Sequence, residues 1–284
     1  MDTLRKSPWI TLLLWLLIAI YIIANLLPET FNLLYPLVAA FLFGLIHGAR
    51  RYGIKGILIF TALCLGISFT MENIGVATGF PFGNYDYPLG VLPGPRIGLV
   101  PLIIGLGYFG TGYVSWVLAD LLLDRPDRQP DNPYAKFALP VIASFVMVTW
   151  DLVMDPSSST LGQFWIWHNG GGFFGVPLSN YLGWYLTVWL FYQAFALYLG
   201  LKQNPVFTNP SKTFWYQAIV MYLSIGFVAT IFPSFTNVTD RAGRVWWTGD
   251  MAETTVIFFL FSMVFICVFS LIKTLQINDP PSQS

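Results

Sequence analysis

The sequence predicts an all-α, polytopic integral membrane bundle of about eight transmembrane helices with both termini cytoplasmic, and three observations predict it. Charged residues fill 10% of the 284 positions and hydrophobic ones 56%, against about 25% charged in a soluble globular protein. Apolar runs of about 20 residues, the length that crosses a bilayer, recur along the whole chain. Basic residues gather between alternate runs, as cytoplasmic loops require.

The first run, 9–27, follows Arg5 and Lys6. It is too long for the apolar region of a signal peptide and no small-residue cleavage site follows it, so it reads as a retained helix. The second, 34–49, is short and holds Pro36, Gly44 and His47, so it needs tilt or flanking residues to span. Runs at 54–71, 99–122, 137–154, 179–200, 214–233 and 252–273 complete one transmembrane domain over 1–284. Gly110-Thr111-Gly112 in the fourth run points to close helix packing. Cys64 and Cys267 both lie inside apolar runs and are expected to pack as small hydrophobes.

With both termini inside, eleven of the 14 basic residues fall on the cytoplasmic side: Arg5, Lys6, Arg50, Arg51, Lys55, Arg125, Arg128, Lys136, Lys202, Lys212 and Lys273. Arg96, Arg241 and Arg244 fall outside. Dropping one helix would mix basic loops with neutral ones, which supports eight over seven. The same topology puts Asp120, Asp124, Asp127 and Asp131 in the basic inner connector, where mixed charge reads as solvated. Glu29, Glu72, Asp86, Asp151, Asp155, Asp240, Asp250 and Glu253 fall on the outer side.

The outer acids carry the chemical interest. An ionised carboxylate near hydrocarbon is costly unless paired or wetted, so intramembrane acids are functional candidates by default. Three outer guanidiniums face eight carboxyls, which leaves some to be protonated or to share protons. Asp151 and Asp155, four apart in "TWDLVMDP", share one helix face. Asp155 precedes Pro156, a helix-end signal. Asp250 in "TGDMAET" suits an N-cap as well as a catalytic role, and Asp86 suits an ordinary turn.

Other chemistries find little support. Zero net charge with scattered basic residues argues against nucleic-acid partners. No P-loop, dinucleotide fingerprint or nucleophile elbow is present. The two histidines, His47 and His168, fall on opposite faces, which excludes histidine-cluster di-iron hydroxylases. No cofactor is expected, although a carboxylate-bound Mg²⁺ or Ca²⁺ on the outer face stays open. His168 reads as a loop hydrogen-bond partner. The outer side is rich in aromatic residues, part of an interfacial belt, and such faces also stabilise a nearby cation.

Three motifs, "MENIGVATGFPFGNYDYPLG" at 71–90, "TWDLVMDP" at 149–156 and "GGGFFGVPLSNYLGW" at 170–184, resemble in the same order those of the CruF-type carotenoid 1,2-hydratases. That family includes γ-carotene 1′-hydroxylases and bisanhydrobacterioruberin hydratases. The resemblance implies a hydro-lyase that adds water across the terminal C1′,C2′ double bond of an acyclic carotenoid end, giving a tertiary alcohol of the kind found in myxoxanthophyll-type xanthophylls. It implies a carotenoid substrate in a plasma or internal membrane, and a downstream carotenoid glycosyltransferase as a partner.

On that reading Asp151 or Asp155 is the expected proton donor and Glu72 the water-positioning base. Phe82, Tyr85, Asp86, Tyr87, Trp150, Asn180, Trp184 and Glu253 are expected around the substrate. The glycines and prolines after Glu72 are expected to form an irregular lid at membrane depth, tolerated where protein or water satisfies its backbone. The balance of acidic and basic residues speaks against an extreme halophile's protein, making a γ-carotene-like molecule the first choice over bacterioruberin chemistry. The rivals are a carotenoid-binding scaffold or proton-coupled transporter, and a prenyl-transferring or cyclising enzyme.

Overall fold

In the computed structural model of the protein, residues 7–277 are described apart from 29, 31, 130–131, 203–209 and 233. Arg5, Lys6, Glu29 and Asp131 lie outside the described residues.

Seven long helical elements make up the body: α1 (Pro8–Leu26), α2 (Leu34–Thr78), α3 (Leu102–Leu122), α4 (Tyr134–Leu161), α5 (Leu178–Leu201), α6 (Lys212–Ala229) and α7 (Thr248–Leu275). All but α6 are among six helices long and apolar enough to cross a membrane. The chain is a multi-pass membrane protein. Pro8 opens α1, where a missing N–H costs nothing.

Two of the expected runs are one element. The 45 residues of α2 pass through Gly53, whose φ of 71° and ψ of 169° are non-helical, a conformation that glycine adopts without a Cβ penalty. Leu37 and Glu72 line one cleft, whereas a straight helix would hold them about 50 Å apart. The element therefore doubles back at Gly53 into arms 34–52 and 54–78. Both arms pack on α3: a Cβ on Gly44 would meet Phe109, and one on Gly105 would meet Phe69. Close packing at Gly110 and Gly112 is also present, since a Cβ on Gly110 would lie 2.9 Å from the Ala40 Cβ.

The helix ends differ from the sequence expectation in three places. The second arm of α2 runs past residue 71 to Thr78 and closes on Gly79 in the left-handed region (φ 83°), so Glu72 is helical and the irregular segment starts later. The α4 span does not stop at Asp155; it continues through Pro156 as a π-turn to Leu161, a widening that accommodates the proline ring. And α7 starts at Thr248 after Trp247, putting Asp250 in its first turn and not at the N-cap.

The fold is not purely helical. Three two-stranded antiparallel sheets sit in the connections: β1 (Tyr85–Asp86) with β4 (Ile166–Trp167), β2 (Arg96–Ile97) with β3 (Val100–Pro101), and β5 (Asn237–Thr239) with β6 (Val245–Trp247). Strands of two or three residues carry no readable period. The β1–β4 pair sets Tyr85 opposite Trp167 and so ties the loop after α2 to the loop after α4.

At the opposite end of the helices the connector between α3 and α4, expected to be solvated, is not simply so. Asp120 and Asp127 are buried, and both pair with buried Arg51: its Nη2 donates to Asp120 at 2.9 Å and its Nε to Asp127 at 3.0 Å. Tyr52 donates to Asp127 at 2.8 Å and receives a bond from Trp116 Nε1 at 2.9 Å. His47 is buried between Phe43 and Phe214; its Nε2 faces the Phe214 carbonyl at 2.9 Å and its Nδ1 the Tyr113 hydroxyl at 2.6 Å. Cys64 and Cys267 are buried and free.

Candidate active site

Glu72 is buried in the second arm of α2, two turns before its end, with three tyrosine hydroxyls around its carboxyl. Tyr85 and Tyr87 donate to Oε2 at 2.5 and 2.8 Å, and Tyr108 from α3 donates to Oε1 at 2.6 Å. A carboxyl that receives on both oxygens is in the acceptor-only pattern of the ionised form. Tyr85 and Tyr87 stand outside the helices; burial and then the Glu72 charge push both phenols above the ordinary tyrosine range.

The loop that supplies the two tyrosines is held firmly. Arg96 Nη2 donates to the Tyr87 and Pro88 carbonyls, both at 2.9 Å, and its Nη1 to Leu99. Asn73, one residue after the glutamate, donates to the Ile97 carbonyl and accepts from Leu99 N–H at 2.8 Å. The Arg96 guanidinium is thus committed to backbone carbonyls. Arg244 pairs with Asp240 at 3.2 Å. Among the described residues no Lys or Arg pairs with Glu72, Asp151 or Asp155.

On α4, Asp151 and Asp155 are buried and meet at one amide from α5: Asn180 Nδ2 donates to Asp151 Oδ2 at 3.1 Å and to Asp155 Oδ2 at 2.6 Å. Trp165 Nε1 donates to the other Asp155 oxygen at 2.7 Å. Asp151 Oδ1 is buried without a protein partner. Two carboxyls converging on one nitrogen with no cation between them favour one shared proton over two charges.

Between these groups lies a cleft of about 270 Å³. Glu72, Phe82, Tyr85, Tyr87, Trp150, Asn180 and Trp184 line it, joined by Tyr108 and Trp165; Leu33, Leu37, Ile104, Val228 and Ile231 give it an apolar side. Asp151 and Asp155 sit behind Asn180 and Trp165 and do not form its wall. Asp86 also lies outside it, 2.9 Å from His168 Nε2 in a half-exposed pair, and Glu253 is exposed on α7. Tyr108 and Trp165 are site residues that sequence reasoning missed. For Tyr108 a signal existed: a phenol in the middle of an apolar run needs a buried partner for its hydroxyl. Among the described residues no three His, Cys, Asp or Glu side chains converge as metal ligands.

The profile of a family described as carotenoid biosynthesis protein matches residues 31–242, which contain every cleft residue just named; Tyr21 and Asn25, which also line the cleft, precede them. The chain is 36% identical over 159 residues to a bisanhydrobacterioruberin hydratase of Haloarcula japonica, an alignment covering 56% of this chain and 48% of that protein. The chain therefore spans about half the length of the curated relative it matches. No solved structure matches it. With three quarters of its residues under the family profile, the chain belongs to the carotenoid biosynthesis protein family.

Proposed function

We propose that this protein is a carotenoid 1,2-hydratase, a hydro-lyase adding water across the terminal C1′,C2′ double bond of an acyclic carotenoid end. The observation that carries the reading is a cleft walled by indole, phenol and aliphatic faces in which one carboxylate is fixed by three hydroxyls. Aromatic faces suit an alkene that becomes a cation. The name of the Haloarcula relative supports the same chemistry.

In this mechanism the Asp151–Asp155 pair supplies the proton, which rests on Asp151 Oδ1 and reaches C2′ through a water, because neither aspartate forms the cleft wall and the Asn180 amide N–H that separates them from it is too weak an acid to pass a proton on. The positive charge falls on tertiary C1′ beside the Trp150, Trp184 and Tyr108 rings. Glu72 takes a proton from the attacking water as its oxygen bonds C1′. Return of that proton to the aspartate pair resets the site, and the sum is one water added with no redox change.

The substrate end is γ-carotene-like or lycopene-like, and the tertiary hydroxyl formed is the group a downstream glycosyltransferase would cap. Eight membrane crossings complete the reading, with the arms of α2 counted separately and α6 included, and both termini face the cytoplasm, where the basic loops gather. Reporter fusions at both ends and at Leu89 test that topology: the ends should report inside and Leu89 outside.

Expression in hosts that accumulate lycopene or γ-carotene, followed by mass spectrometry of the pigments, tests the function. A gain of one water mass per acyclic end is expected. Unchanged pigment that copurifies with the protein would instead make it a carotenoid-binding scaffold.

A further inference from the structure

Four glycines punctuate α3, and three are explained by packing. A Cβ on Gly105 would lie 2.6 Å from the Phe69 ring, one on Gly110 2.9 Å from the Ala40 Cβ, and one on Gly112 3.3 Å from the Phe191 ring. Gly107 is different. A Cβ there would meet only Leu37 Cδ2, at 4.0 Å, so no protein atom requires the side chain to be missing. Glycine inside a helix is less stable than alanine, which leaves its presence here without a structural return. Gly107 does line the cleft, beside Tyr108 and with Ile104 one turn away.

We propose that Gly107 is a specificity-determining residue: the space left by its missing side chain is the passage in which the polyene behind the reacting end lies, between α3, the first arm of α2 and α6. The ligand class is a long, methyl-branched, uncharged hydrocarbon chain. Leu37, Ile104 and Val228 around the passage offer such a chain apolar contact and no hydrogen-bond partner. A cyclised or bulky segment would not share that space with a larger residue at 107. The inference rests on the hydratase reading for its reaction, but the passage itself makes a prediction about binding alone.

The test compares Gly107→Leu, Gly107→Ala and Gly66→Leu in the full chain. Gly66 is a matched control, because it too is a helical glycine with room for a side chain, having nothing within 4 Å of its added Cβ, yet it does not line the cleft. Product is measured by mass spectrometry in the lycopene host, and bound pigment by the absorption of protein purified in detergent. Gly107→Leu should lower hydrated product at least tenfold and remove copurified pigment. Gly107→Ala fills only part of that space and should give a loss between the parent and Gly107→Leu, whereas Gly66→Leu should match the parent.

If Gly107→Leu does not accumulate, Ile104→Trp narrows the same passage and should give the same loss. Equal hydration and pigment in the parent and Gly107→Leu, or equal losses in Gly66→Leu, overturn the inference. A parent that binds pigment without hydrating it refutes the hydratase reading alone, and loss of that pigment in Gly107→Leu still supports the passage.

Discussion

Tyr108 lies flat on Trp184, with ring centroids 4.3 Å apart and planes within 4°, while its hydroxyl donates to Glu72 at 2.6 Å. One side chain thus joins a ring face to the carboxylate. Removing the oxygen and keeping the ring separates the two roles. A hydrogen bond to a charged group contributes about 1.5–3 kcal/mol, so Tyr108→Phe should slow hydration by about 10- to 100-fold. Glu72→Gln should slow it by about 10²–10⁴, the range of general acid–base catalysis. Initial rates in proteoliposomes loaded with the carotenoid give both numbers, and parent-like rates in the two variants would remove Glu72 from the mechanism.

The Asp151–Asp155 pair is tested by charge and by its shared amide. Asp155 keeps the Trp165 indole when Asn180 is lost, whereas Asp151 has no second partner. Asn180→Leu should therefore destabilise the protein by about 1–3 kcal/mol, the cost of buried acceptors left unsatisfied, and lower hydration with it. Asp151→Asn with Asp155→Asn should hold the fold and lower hydration by about 10² or more. Thermal unfolding in detergent separates stability from rate. A double variant at the parent rate would rule the pair out as proton donor.

These two clusters also show where sequence reasoning stops. The helices were legible because lipid imposes one composition on every span, and Gly53 divides α2 where the basic residues Arg50, Arg51 and Lys55 separate the two expected runs. Glu72, Asp151 and Asp155 were legible as acids inside apolar runs. Their partners were not. Tyr108 is 36 residues from Glu72 and Asn180 is 25 from Asp155, separations that only the packing of whole helices closes. Asp120 and Asp127 failed in the other direction: charges beside a basic loop look solvated until the tertiary fold places Arg51 among them.

Arg51 stands two residues before Gly53, with its guanidinium 5.1 Å from the centre of the Trp215 ring and its donors on Asp120 and Asp127. It fastens the reversal of α2 to α3 and to the connector between α3 and α4. Arg51→Met leaves two buried carboxylates without that cation, and breaking such a pair costs about 3–5 kcal/mol. The lowered unfolding temperature should be accompanied by an unchanged hydration rate per folded molecule, since the cluster lies at the opposite end of the helices from Glu72. Adding Asp120→Asn and Asp127→Asn should restore most of the loss, because a neutral set no longer strands a charge. A triple variant less stable than Arg51→Met would show that the cluster acts by packing and not by charge.

The phenols of Tyr85 and Tyr87 give a pH dependence of definite sign. Burial, and after it the Glu72 carboxylate, raises both above the ordinary tyrosine value, which is about 10. Above that pH the unfolded chain releases these protons while the folded protein keeps them, so the folded state binds more protons and stability falls as pH rises. Below it their contribution is complete and flat. Ultraviolet titration of phenolate should then show that Tyr85→Phe and Tyr87→Phe remove no absorbance from the native protein between pH 9 and 11, roughly one unit either side of the ordinary value. Each should remove one tyrosine's worth from the unfolded protein. In the same window the parent should lose stability more steeply than Tyr87→Phe. Native titration of either phenol at the ordinary value would mean that the tyrosine cage around Glu72 is open to water.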